Sequence, residues 1–191
     1  MRKIPEVLTI EEQSQLINIF NTRYFYPVRN KTMLELFLYT GLRVSEMTNL
    51  KWRDINLITG QLKVIQGKGS KDRIIWIGED MLEKLQSWKE KQFDRFGKCE
   101  LVFCSRSKNN LDPKDIRDMI KKYAAKSGIN KNISCHTLRH TFATDLLRAT
   151  KNIRLVQKAL GHSDLSTTMI YTHIVDDEFE DALKNYRKML K

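Results

Sequence analysis

The sequence predicts an α+β fold that is mainly α, with one small antiparallel sheet. Three observations carry this expectation. Most of the 191 residues fall into segments with apolar side chains at helical spacing, bounded by capping residues and glycines. Residues 54 to 77 change to a period of two. No repeat, low-complexity tract or break in composition divides the chain, whose length suits one substantial core or two small ones. The expectation is a single domain over residues 1–191.

Thr9 and Glu12 form a capping box that opens a helix through Leu16, Ile17 and Phe20 to about Asn21. Tyr24 to Val28, with Pro27, reads as a loop. A second helix, roughly Arg29 to Thr40, turns Met33, Leu34, Phe37 and Leu38 inward and stops at Gly41. Arg43 stands at the junction with a short helix from Val44 to Leu50, whose first turn holds Glu46. A carboxylate there opposes the helix dipole, and Arg43 can be a solvated helix-start residue. DINL, QLKVIQ and RIIWI then read as short strands, the last two joined by GKGSKD. This hairpin tip bears Lys68 and Lys71, with Arg73 just beyond. Gly67 and Gly69 allow close backbone approach to a phosphate, although a solvated hairpin explains them equally. A P-loop does not fit, because six residues separate Gly60 from Gly67 and Gly69 follows Lys68 where Ser or Thr belongs.

Glu79 to about Phe96 forms an amphipathic helix with Met81, Leu82, Leu85, Trp88 and Phe93 as its apolar face. Residues 101 to 103 form a short buried segment and Ser105 to Leu111 a polar loop. Asp112-Pro113 opens the next helix, which runs to about Ser127. Ile116, Ile120 and Tyr123 point inward from it, with Lys121, Lys122 and Lys126 elsewhere. Leu138, Phe142, Leu146 and Leu147 mark a further helix, and Asn152 to Leu160 a short one stopped by Gly161. One more short helix precedes Tyr171. The last segment, Asp176 to Lys191, has five acids in its first six residues and four bases later, the order a helix dipole favours. Phe179, Leu183, Tyr186 and Leu190 give it one apolar stripe.

Net charge is +11 and the isoelectric point is about 9.6, so an anionic partner is the first expectation. Between Lys114 and Arg154 ten Lys or Arg stand against three Asp, a local net charge of +7. No apolar run approaches a membrane span and the amino terminus lacks a signal-peptide segment, so the expected location is cytoplasmic. Three irregularly spaced cysteines argue against a disulfide framework. His136 and His140 are four apart beside Cys135, but no Glu completes a zinc motif and Cys99 and Cys104 fit no knuckle spacing. No metal and no cofactor is expected.

Ser134 to His173 gathers all four histidines with Arg139 and Tyr171. His136 and Arg139 stand one turn apart, so both can leave one helix face. A tyrosine hydroxyl is a weak nucleophile near neutral pH, since its pKa lies near 10. It becomes useful where cations stabilise charge developing on its target. Arginine grips phosphate with two parallel hydrogen bonds, and histidine can move protons at physiological pH. The set suggests attack on a phosphodiester through a phosphotyrosine. The bland alternative is a tyrosine capping a core edge beside a solvated His-x-x-Arg turn.

The order of motifs decides between these. Arg43 in TGLRVSE, Lys68 in GKGSKDR, then HTLRH, LGHSDLSTT and IYTH resemble the tyrosine recombinase family, of phage-integrase and Xer type, over Leu8 to about His173. The resemblance implies a DNA breaking-rejoining catalytic core that cuts and rejoins double-stranded DNA without metal or ATP. By matching positions, Arg43 and Arg139 would clamp the nonbridging oxygens of the scissile phosphate. Lys68 would protonate the leaving 5′ oxygen, and His136 would assist proton transfer. His162 would hydrogen-bond the phosphate, and Tyr171 would form the 3′-phosphotyrosyl bond. Glu46 and His140 match supporting positions, and Lys71, Arg73, Lys121 and Lys122 are candidates for DNA contact. The family further implies a monomer in solution, a homotetramer on paired sites with the 176–191 helix exchanged between subunits, and accessory DNA-bending proteins. Members usually carry a helical core-binding domain first. Here the catalytic pattern starts within ten residues of Met1, so that domain is expected to be absent, through truncation or because this is a compact recombinase of the DNA-inversion kind. Type IB topoisomerase-like relaxation and a silent DNA-binding regulator are the alternatives. The LGHSDLSTT and IYTH matches weigh against the first, and the intact catalytic set weighs against the second.

Overall fold

The computed structural model describes residues 5–65, 72–161, 168 and 171. In chain order its elements are α1 (Ile10–Asn18), α2 (Phe25–Thr40), α3 (Val44–Asn49), a 3₁₀ turn (Trp52–Asp54), β1 (Gln61–Val64), β2 (Arg73–Trp76), α4 (Glu79–Phe96), α5 (Pro113–Ser127), α6 (Cys135–Thr150) and α7 (Ile153–Leu160). No helix among the described residues is long and apolar enough to cross a membrane.

The capping box holds: Thr9 Oγ1 accepts from the Glu12 N–H at 3.2 Å, and the Thr9 N–H donates to Glu12 Oε2 at 2.8 Å. Helix α2 begins four residues earlier than expected, inside the segment read as a loop. Pro27 falls in its first turn, where backbone N–H groups have no intrahelical acceptor, so the missing donor costs nothing. From Thr32 to Phe37 every side chain of α2 is buried. A helix covered all round is a central one, and α4 and α6 both pack against it.

The sheet is the antiparallel pair β1–β2, in register from Gln61↔Trp76 to Val64↔Arg73. The strand expected over residues 54 to 57 does not form. Asp54 Oδ2 accepts from the Lys51 N–H at 3.0 Å, and Asn56 Oδ1 accepts from Ile58 at 2.9 Å and Thr59 at 3.1 Å. These side chains offer the backbone a local turn in place of a ladder, leaving the single bridge Ile55↔Leu62.

A second correction concerns α4. Phe93 is 62% exposed, and Gln92, 2% exposed, continues the buried row of Met81, Leu85 and Trp88. Positions 81, 85, 88 and 92 keep the four-three-four spacing of one helix face, which 93 leaves. Gln92 serves polar partners there: its Oε1 accepts from Trp52 Nε1–H at 2.8 Å, and its Nε2 donates to the Val102 carbonyl at 3.1 Å.

The main core joins α1, α2, α4 and α5 and takes in Leu138 of α6. A second cluster unites Phe142, Ala143 and Leu147 of α6 with Val156, Leu160 and Tyr171. Helix α6 therefore spans both cores and fixes its polar residues between them.

Candidate active site

Helix α6 is started by Ser134, whose Oγ accepts from the Thr137 N–H at 3.2 Å. His136 on the first turn is exposed, whereas Arg139 is 8% exposed and His140 is half-buried. Residues three apart leave a helix about 60° from one another, enough to put His136 outside and Arg139 inside. Arg139 lies between the carboxyl ends of two helices. One guanidinium nitrogen donates to the Gly41 carbonyl at 2.5 Å and the other to the Leu160 carbonyl at 2.7 Å. Gly41 caps α2 in the left-handed region at φ +58°, and Gly161 ends α7 likewise at φ +65°. A Cβ on Gly41 would run into the Phe142 ring, so close approach as well as backbone angle requires glycine here.

Arg43 precedes α3. Its backbone N–H donates to Glu46 Oε2 at 2.7 Å and its guanidinium to Glu46 Oε1 at 3.0 Å. Glu46 also receives both terminal nitrogens of Arg73, at 2.8 and 2.9 Å, while Arg73 Nε donates to the Ala159 carbonyl at 2.7 Å. Arg73, a candidate for DNA contact, is buried. The alternation of β2 explains it, since Arg73 and Ile75 face inward and Ile74 and Trp76 outward. RIIWI carries that alternation, with Arg73 on the same face as Ile75. Lys121 and Lys122 are exposed on α5, opposite its buried Ile116, Ile120 and Ala124. Lys68, Lys71, His162 and the helix expected over residues 176–191 lie outside the described residues.

Tyr171 is 2% exposed, and its hydroxyl oxygen stands 2.6 Å from His140 Nδ1. The rings are tilted at 55°, with centroids 5.7 Å apart. Burial pushes the phenol up to about 12, against the pull of the Arg139 charge. Burial also lowers the His140 imidazole, helped by His136 and Arg139 nearby. Both groups are therefore neutral at pH 7, and the phenol can donate to Nδ1 in the tautomer that keeps its proton on Nε2. Arg139 is lowered to about 10, first by burial and then by the charge of Arg43. Burial alone would raise the Glu46 carboxyl, but the Arg73 fork, the Arg43 N–H and both positive charges hold it below the usual carboxylate range.

The structure thus brings Arg43, Glu46, Arg139, His140 and Tyr171 together and adds Arg73. Three guanidinium groups share this network with the Glu46 carboxylate, so an anion is attracted to it. Among the described residues no three His, Cys, Asp or Glu side chains gather as a metal site would need.

The phage integrase family model matches residues 6–178. The chain is 42% identical over 176 residues to the tyrosine recombinase XerD of Staphylococcus saprophyticus, covering 91% of this chain and 59% of that one. To a tyrosine recombinase of Thermosipho africanus it is 39% identical over 183 residues, 96% of this chain and 62% of the relative. The chain therefore spans about three-fifths of the length of these curated relatives. Among solved structures, XerA recombinase superposes with a TM-score of 0.84 at 33% identity, covering 98% of this chain and 67% of that one. XerH site-specific recombinase, bound to palindromic difH substrate in a post-cleavage complex, gives 0.81 at 30% identity, covering 97% and 54%.

Proposed function

Because the chain belongs to the phage integrase family, we propose that it carries the catalytic core of a site-specific DNA recombinase, acting through a 3′-phosphotyrosyl intermediate. One observation supports this reading above the others. The Tyr171 hydroxyl meets His140 at 2.6 Å, close enough to Arg139 for that charge to act on its ionisation. A tyrosine merely capping a core edge would have no use for a neutral imidazole at its hydroxyl or for a buried arginine near enough to act on its ionisation.

The residues fit a phosphoryl transfer in sequence. Duplex DNA lays its scissile phosphate against Arg43 and Arg139, which neutralise the nonbridging oxygens. The Tyr171 oxygen attacks phosphorus as its proton passes to imidazole. His140, neutral at pH 7 and already in contact, is placed to receive that proton, with exposed His136 one turn away to assist. The P–O5′ bond breaks and the leaving oxygen takes a proton from Lys68, while His162 donates to the phosphate. The intermediate keeps the phosphodiester's energy as a tyrosyl ester, so a free 5′ hydroxyl can reverse the steps and rejoin a strand. Arginine donors already in place stabilise the crowded, negatively charged phosphorane without reorganising, an effect worth about 3 kcal/mol per donor in comparable oxyanion sites.

Likeness to the XerH complexes with difH supports double-stranded DNA as substrate. The assembly belonging to this reading is a monomer in solution and a ring of four on paired sites, linked by the 176–191 helix. The test is a nicked duplex that traps the covalent adduct. Wild-type protein yields a protein–DNA band on a denaturing gel, unaffected by EDTA, and Tyr171→Phe binds the duplex without yielding one. A covalent band in the variant would remove Tyr171 as nucleophile.

A further inference from the structure

Glu46 is the acidic partner of the Arg43–Arg73 network, and two arginines compete for it. Its side chain is 8% exposed. Arg73, itself 5% exposed, occupies both carboxylate oxygens in the bidentate geometry that guanidinium and carboxylate favour. Arg43 reaches one oxygen through one nitrogen, and its side chain remains 42% exposed. The stronger geometry thus belongs to the arginine that faces inward, and the weaker to the arginine that faces solvent.

We propose that Arg73 is a positioning residue for DNA cleavage, occupying Glu46 so that the Arg43 guanidinium stays available to the scissile phosphate. This rests on the recombinase reading of the site. With Arg73 removed, a nearly buried carboxylate is left 3.0 Å from the Arg43 fork. A desolvated charge recruits the nearest opposite one, and Arg43 swings from single to paired contact. It is then withdrawn from phosphate without having been mutated. Arg73 also holds the Ala159 carbonyl, next to the Leu160 carbonyl that seats Arg139. A purely structural role through α7 is therefore the competing explanation, and the two differ in what a second substitution does.

If the harm comes from an uncovered Glu46, neutralising that carboxylate repairs it. If it comes from the lost bond to Ala159, neutralising Glu46 repairs nothing. Three variants separate the cases: Arg73→Gln, Glu46→Gln with Arg73→Gln, and Arg73→Lys. Misplacing a phosphate-binding group by about 1 Å costs roughly a hundredfold in rate, so Arg73→Gln is expected to slow single-turnover cleavage by about tenfold to a hundredfold. The double variant recovers at least half of that loss on a logarithmic scale, and Arg73→Lys, a single point charge over Glu46, falls between.

A second readout does not depend on cleavage. Inorganic phosphate raises the melting temperature of a protein that holds it. Wild type and double variant should show this rise, and Arg73→Gln should lose most of it. Arg73→Gln retaining both wild-type cleavage and the wild-type phosphate shift overturns the proposal. So does a double variant as poor as the single one. If Arg73→Gln fails to fold while the double variant folds and binds phosphate, the fault lies in the uncovered carboxylate and the proposal stands; if neither folds, it falls. A wild-type protein that binds phosphate yet never attaches to DNA sinks the recombinase reading separately, leaving the phosphate shifts to judge Arg73.

Discussion

His140 Nδ1 lies 2.6 Å from the Tyr171 hydroxyl oxygen, joining the middle of α6 to a residue 31 positions later in the chain. The contact couples a phenol raised to about 12 with an imidazole lowered below its ordinary 6.5, both mainly through burial.

On the alkaline side this coupling has a definite sign. The unfolded phenol loses its proton near pH 10 and the folded one near 12, so the folded state holds more protons between them. The Tyr171 contribution is full below pH 10 and is lost as pH rises toward 12, amounting to about 2–3 kcal/mol. Denaturant unfolding at stepped pH should show a fall that Tyr171→Phe lacks. Equal slopes in the two proteins would contradict the burial of the phenol.

On the acid side the sign is set by His140. Its folded pKa is depressed, so its contribution is complete above pH 6.5 and fades as pH drops through the folded value. His140→Gln should flatten that part of the stability profile. It should also slow covalent attachment to a trapping duplex, because the imidazole in contact with the phenol is gone and His136 only assists. An unchanged attachment rate would leave His140 as scaffolding only.

Gly41→Ala should be far worse than Gly128→Ala, although both positions have positive φ, +58° and +74°. Left-handed backbone costs an L-residue about 1–2 kcal/mol in either case. At Gly128 a new Cβ meets nothing within 4 Å, whereas at Gly41 it meets the Phe142 ring. In a chain of this size each 1 kcal/mol shifts the melting temperature by roughly 2–4 °C. The Gly41 variant should therefore melt several degrees below the Gly128 variant, and cleave poorly because the Gly41 carbonyl seats Arg139. Thermal melts of the two variants side by side check this.

These cases show what could be read from the sequence and why the rest could not. Thr9 with Glu12, Asp112-Pro113, Gly41 and Gly161 act within a few residues of themselves, so their roles as caps and stops were legible. The start of α2 was not, because Pro27 reads as a loop residue and as a first-turn residue alike. The expectation for Arg43, Arg139 and Tyr171 comes from the order of their motifs. The pairing of Arg73 with Glu46 is not legible in the sequence, since an ion pair between β2 and α3 leaves no local period; only the in-out alternation of β2 signals that Arg73 turns inward.

Lys68 carries the assignment of leaving-group acid from its motif alone. Lys68→Ala should cleave ordinary DNA slowly and recover on a 5′-bridging phosphorothiolate, where sulfur departs without a proton. Equal defects on both substrates would mean that Lys68 grips the phosphate instead.

The apolar stripe of Phe179, Leu183, Tyr186 and Leu190 gives a test of assembly. Deleting residues 177–191 should leave a folded monomer that binds a half-site but does not build paired-site complexes. Native gel shift on full sites, with a melt of the truncated protein, checks both parts. A truncated protein that no longer folds would mean that this helix docks on its own subunit.

Arg139 is seated by two backbone carbonyls, those of Gly41 and Leu160, each at the place where a helix stops. No side-chain substitution deletes a carbonyl, so point changes along α2 and α7 can be absorbed as long as both helices end where they do. A change of length is different. Removing one residue from either helix turns its terminal carbonyl by about 100° and draws it back by about 1.5 Å. The two helices act as rulers, and this site should tolerate drift in sequence far better than single-residue insertions or deletions between Phe25 and Gly41 or between Ile153 and Gly161.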